Sequence, residues 1–280
     1  GNTHTNASYL NGSQFAIVAC QDGTVVQIKP SAKTGNHLAG AAFTKILHHG
    51  QTYQLRNTNG APNDLTGTLI SSDKPIAVYG SHRCANIPDD QVWFCNHLVE
   101  QLLPTSAWGT DFYTQPLFTR LQGDRVRFVA ATDNTRVTVS PSGSSPLDFT
   151  LHKGQFREVQ LAQPARISAT QSILVGQYAT SSDYDGAEEA DATMILVAAT
   201  NQYMTACQVW TPTNQFSAHF LNLVAIDDGG IPFIQVDASP VALAPVPGGG
   251  FYAGTVAVAP GAHRVSSQTP FTVAAYGFSD

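Results

Sequence analysis

Charge is what this 280-residue chain has least of: 14 Lys and Arg and 20 Asp and Glu make up 12% of it, with a formal net charge of -6. That is about half the usual charged share of a soluble domain. The few basic residues form no cluster, so phosphate neutralisation has no footprint and nucleic acid is excluded as a partner class. Long hydrophobic runs are missing as well. The longest, Met194 to Ala199, falls far below the roughly 20 residues that a membrane-crossing helix needs, so no membrane insertion is expected. No basic segment or apolar leader precedes Gly1, which reads as a removed signal or as a fragment of something larger. Nucleophile elbows, zincin pairs and phosphate loops are absent; Gly248-Gly-Gly250 lacks the Lys and helix that would follow in a phosphate loop. The expectation is a protein without catalytic activity.

Turn formers and amide and hydroxyl side chains take the place of charge, with 23 Gly and 16 Pro. Helical periodicity is hard to find, whereas apolar alternation at period two recurs between turn residues, so the fold class is all-β. One phrase, strand–Asp-turn–strand, occurs at Phe15–Ile28, again at Val126–Val139 and more loosely at Leu221–Val236. Asp22-Gly23 reads as the tight turn of a β-hairpin. A glycine-led strand follows each copy (Gly50, Gly154, Gly249), then a closing strand (Asp73–Ser81, Thr170–Tyr178, Gln268–Tyr276). The spacing suits three tandem β-sandwich-like repeats better than propeller blades, which need only about 40 to 50 residues each. The expected modules are residues 1–102 with a cysteine-loop insertion at 83–96, 103–196 with an acidic loop at 182–191, and 197–280.

Four cysteines bear on chemistry and compartment. His82-x-Cys84 faces Cys95-x-His97, and this arrangement supports either a Cys84–Cys95 disulfide or a tetrahedral zinc site with the two histidines. Low charge and the composition of an exported protein favour the disulfide. Cys20 sits in a slot that reads as core-facing, a buried thiol; a bridge from it to Cys207 is conceivable without being indicated. His48-His49 has no acidic partner at useful spacing and reads as an exposed pair. Inside the cysteine loop, Asp89, Asp90, Trp93 and Phe94 form a candidate binding tip, with Trp108 as a further aromatic contact, although aromatics in such a loop more often fold back as a plug. Asp183, Asp185, Glu188 and Asp191 are the only calcium candidates; they lack the full spacing of a calcium loop, so no cofactor is expected.

Leu65-Thr-Gly-Thr68, Asp73-Lys-Pro-Ile-Ala-Val-Tyr79, His82-x-Cys84-Ala-Asn86, Cys95-Asn-His-Leu-Val-Glu-Gln-Leu102, Trp108-Gly109 and Asp191-Ala-Thr-Met-Ile-Leu-Val197 together resemble the N-terminal domain of the IgGFc-binding protein family. The resemblance covers nearly the whole chain and is densest from 65 to 116. It implies an extracellular or cell-surface module with the central cysteines oxidised and no catalysis. The expected function is adhesion or recognition of a glycoprotein, mucin or cell-surface glycan. A structural repeat in a surface or phage tail fibre assembly, where another chain completes the first unit, is the first alternative. A carbohydrate-active enzyme is the second. Cell surface and virion surface are both compatible settings.

Overall fold

The computed structural model describes residues 12–57, 64–89, 91–118, 120–186 and 191–279. The chain is all-β, as alternation predicts; its helical content among the described residues is one turn of α-helix, α1 (Ser182–Asp185), and two 3-10 turns, Thr105–Ala107 and Thr200–Gln202. The first stretch holds β1 (Ser13–Ala19), β2 (Thr24–Lys29), β3 (Phe43–Leu47), β4 (Thr52–Arg56), β5 (Leu69–Ser72), β6 (Ile76–Ala85) and β7 (Asn96–Gln101). These form two facing sheets, ordered β4-β1-β6-β7 and β3-β2-β5. The second stretch holds β8 (Gly109–Thr114), β9 (Asp124–Ala130), β10 (Thr135–Pro141), β11 (Leu147–Leu151), β12 (Phe156–Leu161), β13 (Ala165–Ala179) and β14 (Thr193–Leu196). Its sheet runs β11-β10-β13-β9-β12, with β8 and β14 also bonded to the long β13. The third holds β15 (Met204–Thr211), β16 (Ala218–Ile226), β17 (Ile234–Val236), β18 (Ser239–Val241), β19 (Ala244–Pro245), β20 (Phe251–Ala257) and β21 (Gly261–Phe278), ordered β18-β17-β21-β16-β20-β19 with β15 on β21.

One order of pairing recurs in these three strand sets. The opening strand (β1, β9, β16) pairs with a later short strand (β4, β12, β20) and with the C-terminal half of the closing strand (β6, β13, β21). The next strand (β2, β10, β17) pairs with its successor and with the N-terminal half of the closing strand (β5, β13, β21). The expected breaks at 102 and 196 fall in the connections after β7 and β14. Alternate residues from the two halves of each set meet in one core: Phe15, Ile17, Val26 and Ile28 in the first, Val126, Phe128, Val137 and Ile173 in the second, Leu221, Leu223, Ile234 and Phe271 in the third.

The hairpin expectation is corrected. Gly23 and Asn134 do have the positive φ that a tight turn asks for, +60° and +56°. Yet β1 and β2 never pair with each other, and neither do β9 and β10. The turn instead passes the chain from one half of the set to the other, because both flanking strands find partners elsewhere: Ala19 bonds Gln51 and Cys20 bonds Pro75 just before the turn. Period-two alternation is satisfied equally by a hairpin and by such a corner, so the pattern could not separate them.

Successive sets are joined by packed side chains. Ala85 and Leu98 of the first set meet Tyr178 and Ala192 beside the second, and Leu117 and Ala179 meet Phe220, Tyr276 and Phe278 of the third. At the first of these junctions two backbones touch. A Cβ on Gly67 would lie 1.9 Å from the Gly154 carbonyl oxygen, and Gly67 also has φ of +85°, so glycine is required there on both counts.

Candidate binding loop

The loop between β6 and β7 begins where the antiparallel ladder loses its regular register, between His82 and Ala85. Cys84 and Cys95 lie across that irregularity with Cα atoms 5.0 Å apart and are joined as a disulfide. The pairing rules out the zinc alternative, since oxidised sulfurs are not thiolate ligands. His82 is turned inward and accepts the Cys84 N–H on Nδ1 at 3.1 Å, while His97 is exposed. Burial pushes the His82 imidazole down to about 4, so it is neutral at physiological pH. Among the described residues no group of three or more His, Cys, Asp or Glu is placed to hold a metal ion.

Inside the loop, local hydrogen bonds do the folding. Asn86 donates to the Val92 carbonyl at 2.8 Å, and Asp89 accepts the Gln91 N–H at 2.9 Å in an Asx turn. Val92 is buried and acts as the loop's plug; Trp93 and Phe94 beside it are 63% and 58% exposed. Of the two fates expected for the aromatics, the exposed one is realised, because a smaller side chain fills the space beneath. Asp89 is exposed, and Asp90 lies outside the described residues.

The loop is clamped from a distance. Ser181 donates its N–H to the Ile87 carbonyl at 2.8 Å and accepts the Ile87 N–H on Oγ at 3.2 Å. Asp183 accepts the Trp93 N–H at 2.6 Å. Thus the start of the acidic segment, read from sequence as a calcium candidate or a solvated loop, is the peg that holds the aromatic tip. Asp191 is exposed; Glu188 and the side chain of Asp185 lie outside the described residues. Trp108 belongs to the connection after β7, half-buried, with its indole N–H donated to the Leu103 carbonyl at 3.0 Å. It is not part of the loop tip.

Beneath the loop, Arg127 on β9 ties the first and second sets. It bonds Asp64 at 2.8 Å, Glu158 at 2.6 Å and the Thr66 hydroxyl, and its guanidinium lies 4.5 Å from the centre of the Phe156 ring. Burial would raise the Asp64 carboxyl, but Arg127 and two hydrogen bonds from Thr66 outweigh it and hold Asp64 below its ordinary value. Nothing in the sequence marks this pair, which spans 63 residues.

The remaining cysteines are free, which removes the Cys20–Cys207 bridge. Cys20 is exposed, against the expectation of a buried thiol: the strand ends one residue earlier, so Ala19 takes the core slot. His48 and His49 are exposed as read, but the absence of an acidic partner is corrected. His48 Nδ1 lies 3.6 Å from the Asp22 carboxylate and accepts the Gly23 N–H at 3.4 Å, and His152 repeats both contacts with Asp133 and Asn134. These histidines clasp the corner turns, an arrangement visible only once the strands are paired.

The chain is all-β, with three similarly paired strand sets and two exposed aromatics on a disulfide-closed loop. Residues 2–277 match the family model described as IgGFc binding protein, and the chain belongs to that family. A curated relative, the human IgGFc-binding protein, is 33% identical over 145 residues, which is 50% of this chain. The match covers 2% of the length of that relative. No solved structure matches the chain. No helix among the described residues is long and apolar enough to cross a membrane.

Proposed function

We propose that this chain is an extracellular recognition module that binds a glycoprotein through its disulfide-closed loop. Asp89, Asp90, Trp93 and Phe94 form the contact tip, and Trp108 is a contact at the neighbouring connection. The observation that carries the proposal is the pair of adjacent aromatics held in solvent on a loop that is fixed at its base by Cys84–Cys95 and on its flank by Ser181 and Asp183. A rigid aromatic pair loses little entropy on binding and supplies the large apolar contact typical of interface hot spots. Membership of a family described by a binding activity supports the reading, and the printed name of the human relative nominates the Fc part of immunoglobulin G as the first glycoprotein to try. The modules are taken to divide near residues 102 and 196.

Surface plasmon resonance of the whole chain against an immunoglobulin Fc fragment, a purified mucin and a glycan array tests this. Trp93→Ala with Phe94→Ala is expected to weaken whichever interaction is found by at least about tenfold, which is the loss of one or two hot-spot side chains. Unchanged binding by the double variant overturns the assignment of the tip.

A second reading, a structural repeat in a surface assembly, is favoured by the continuous packing from set to set at Ala85–Tyr178 and Ala179–Tyr276. It predicts concentration-dependent association in sedimentation, and a monomer over a wide concentration range counts against it.

A further inference from the structure

Two turns of the third set meet at a single side chain, His263 of β21, which is 6% exposed. Its Nδ1 lies 2.7 Å from the carboxylate of Asp237, in the turn between β17 and β18. Its Nε2 lies 2.7 Å from the carbonyl of Ala259, in the turn between β20 and β21. Both partners are acceptors. A neutral imidazole has one N–H and one lone pair, so it donates to one of them and turns its lone pair on the other. Only the imidazolium donates to both.

The first of these turns needs holding. Val236 pairs directly with Ser239, which leaves Asp237 and Ala238 as a two-residue loop with φ of +51° and +65°. Such a loop suits a sequence ending in glycine, whereas an alanine there has its Cβ crowded against the following carbonyl. Asp237 compensates by bonding to β21. Its N–H donates to the Arg264 carbonyl at 2.9 Å, its Oδ1 accepts the Arg264 N–H at 2.9 Å, and its Oδ2 faces His263. On the other side, the Ala259 carbonyl also accepts the Thr211 hydroxyl at 3.0 Å, which fixes the second turn to β15.

Among the described residues Asp237 is the charged side chain that faces the imidazole. Val209 of β15 stands opposite His263, and the neighbouring pairs, Thr211 with Gly261 and Val236 with Val265, are uncharged. Arg264, next along β21, is exposed. Asp237 raises the His263 imidazole above its ordinary 6.5 against the effect of burial, and the imidazole in turn holds the Asp237 carboxyl below its ordinary value.

We propose that His263 is a protonation-dependent pin that locks the β17–β18 hairpin to the β20–β21 turn, and that loss of its proton releases the two turns from each other. In either neutral tautomer one of the two contacts becomes a repulsion between acceptors. The left-handed turn is then held by fewer bonds. β18, which among the described residues pairs only with β17 and brings Val241 onto the third core, is the strand that opens first. The pin is fully formed below pH 6.5 and is lost as pH rises through the raised value of the folded chain. That direction is opposite to the one set by His82, whose imidazole is held neutral. The pin lies in the third set and acts whatever the cysteine loop binds.

Nitrogen NMR of the histidine rings follows His263 through a pH titration of the whole chain. Hydrogen exchange, corrected for the intrinsic effect of pH, is read at residues 237–241 and 258–261. The expected result is a His263 titration above 6.5, with both ring nitrogens protonated below it. Protection of the two segments falls at least about tenfold between about pH 6 and about pH 9. Asp237→Asn keeps the shape of the side chain and removes its charge. In that variant the His263 titration moves down by at least about one unit, and the pH dependence of exchange disappears. Titration at or below 6.5, or equal protection at both pH values, overturns the proposal. So does protection that falls with pH as steeply in Asp237→Asn, since the loss then has another origin. If the variant does not fold, the titration and exchange of the unaltered chain decide alone.

Discussion

Arg127 and Asn222 occupy the same place in successive strand sets and solve the same problem with different chemistry. Arg127 stands opposite Glu158 and Gly176 in its sheet, Asn222 opposite Thr255 and Ala274, and the closing strands bring Tyr178 and Tyr276 alongside. Each residue joins its own set to the one before it. Arg127 does so through carboxylates, Asp64 of the first set and Glu158 of its own. Asn222 does so through neutral groups: it donates to the Gln115 and Pro116 carbonyls at 3.1 and 3.0 Å and accepts from Tyr276 at 2.8 Å and Thr255 at 2.6 Å. The pairing scheme itself leaves the chemistry at this spot open, since in the first set Ala16 stands there, opposite Gln54 and Tyr79. What the charge adds is dependence on ionisation, and it does so at the junction on which the cysteine loop rests.

Removing the cation should break the comparison most severely. Arg127→Ala leaves Asp64 and Glu158 facing each other without a counter-charge, and is expected to cost about 3 kcal/mol, the lower end for breaking a buried pair because all three groups keep some solvent. Denaturant unfolding measures it. Arg127→Asn with Glu158→Thr, which copies the third set, should recover only part of the loss, since Asp64 stays unpaired.

Acid should act on the same junction through two groups, His82 and Asp64. His82 has a folded pKa of about 4, below its ordinary 6.5, so between those values the unfolded chain binds a proton that the folded chain refuses. Stability is therefore lost as pH falls from about 6.5 towards 4, by roughly 2 to 3 kcal/mol. Asp64 is lowered from 3.8 and adds to the loss below that pH, as its carboxylate finally protonates. At the second junction the Tyr276 phenol is raised by burial and does not titrate in this range. Hydrogen exchange at pH 7 and pH 4.5 should show loosening around β7 and β14; unchanged exchange there refutes the role of His82.

Tyr276→Phe probes the hydrogen bonds of the second junction directly. The hydroxyl accepts the Phe118 N–H at 2.9 Å and donates to Asn222 Oδ1, both largely out of water. Its loss is expected to cost about 1 to 2 kcal/mol, with no change in the pH dependence set by His82 and Asp64.

What the sequence made legible follows the same division between local and distant. Strand content came from alternation, and the positive φ at Gly23 and Asn134 from turn chemistry, because both are properties of a few adjacent residues. Cys84 and Cys95 are 11 residues apart and their pairing was within reach of a sequence reading. The corner between β1 and β2 was misread as a hairpin because partners at Gln51 and Pro75 decide it. Cys20 was placed in the core by assuming that the strand ran one residue further than Ala19. The Arg127–Asp64 pair and the Asp183 peg were invisible for the same reason: contacts between strand sets join residues 63 and 90 positions apart, and no local pattern specifies which.

The smallest expected effect is the most informative about the loop. Asp183 accepts the Trp93 N–H at 2.6 Å, but at an exposed site where water competes for the same donor. Asp183→Ala should therefore cost less than about 1 kcal/mol of global stability. Its effect should appear locally, as faster exchange of the Trp93 amide and a larger entropic penalty for ordering the tip on binding. If the tip binds as proposed, the variant weakens binding severalfold with an unchanged melting temperature, while Arg127→Ala lowers the melting temperature first. A variant that leaves both the Trp93 exchange rate and binding untouched would show that the disulfide alone fixes the loop, and that the second strand set contributes support from below without steering the aromatics.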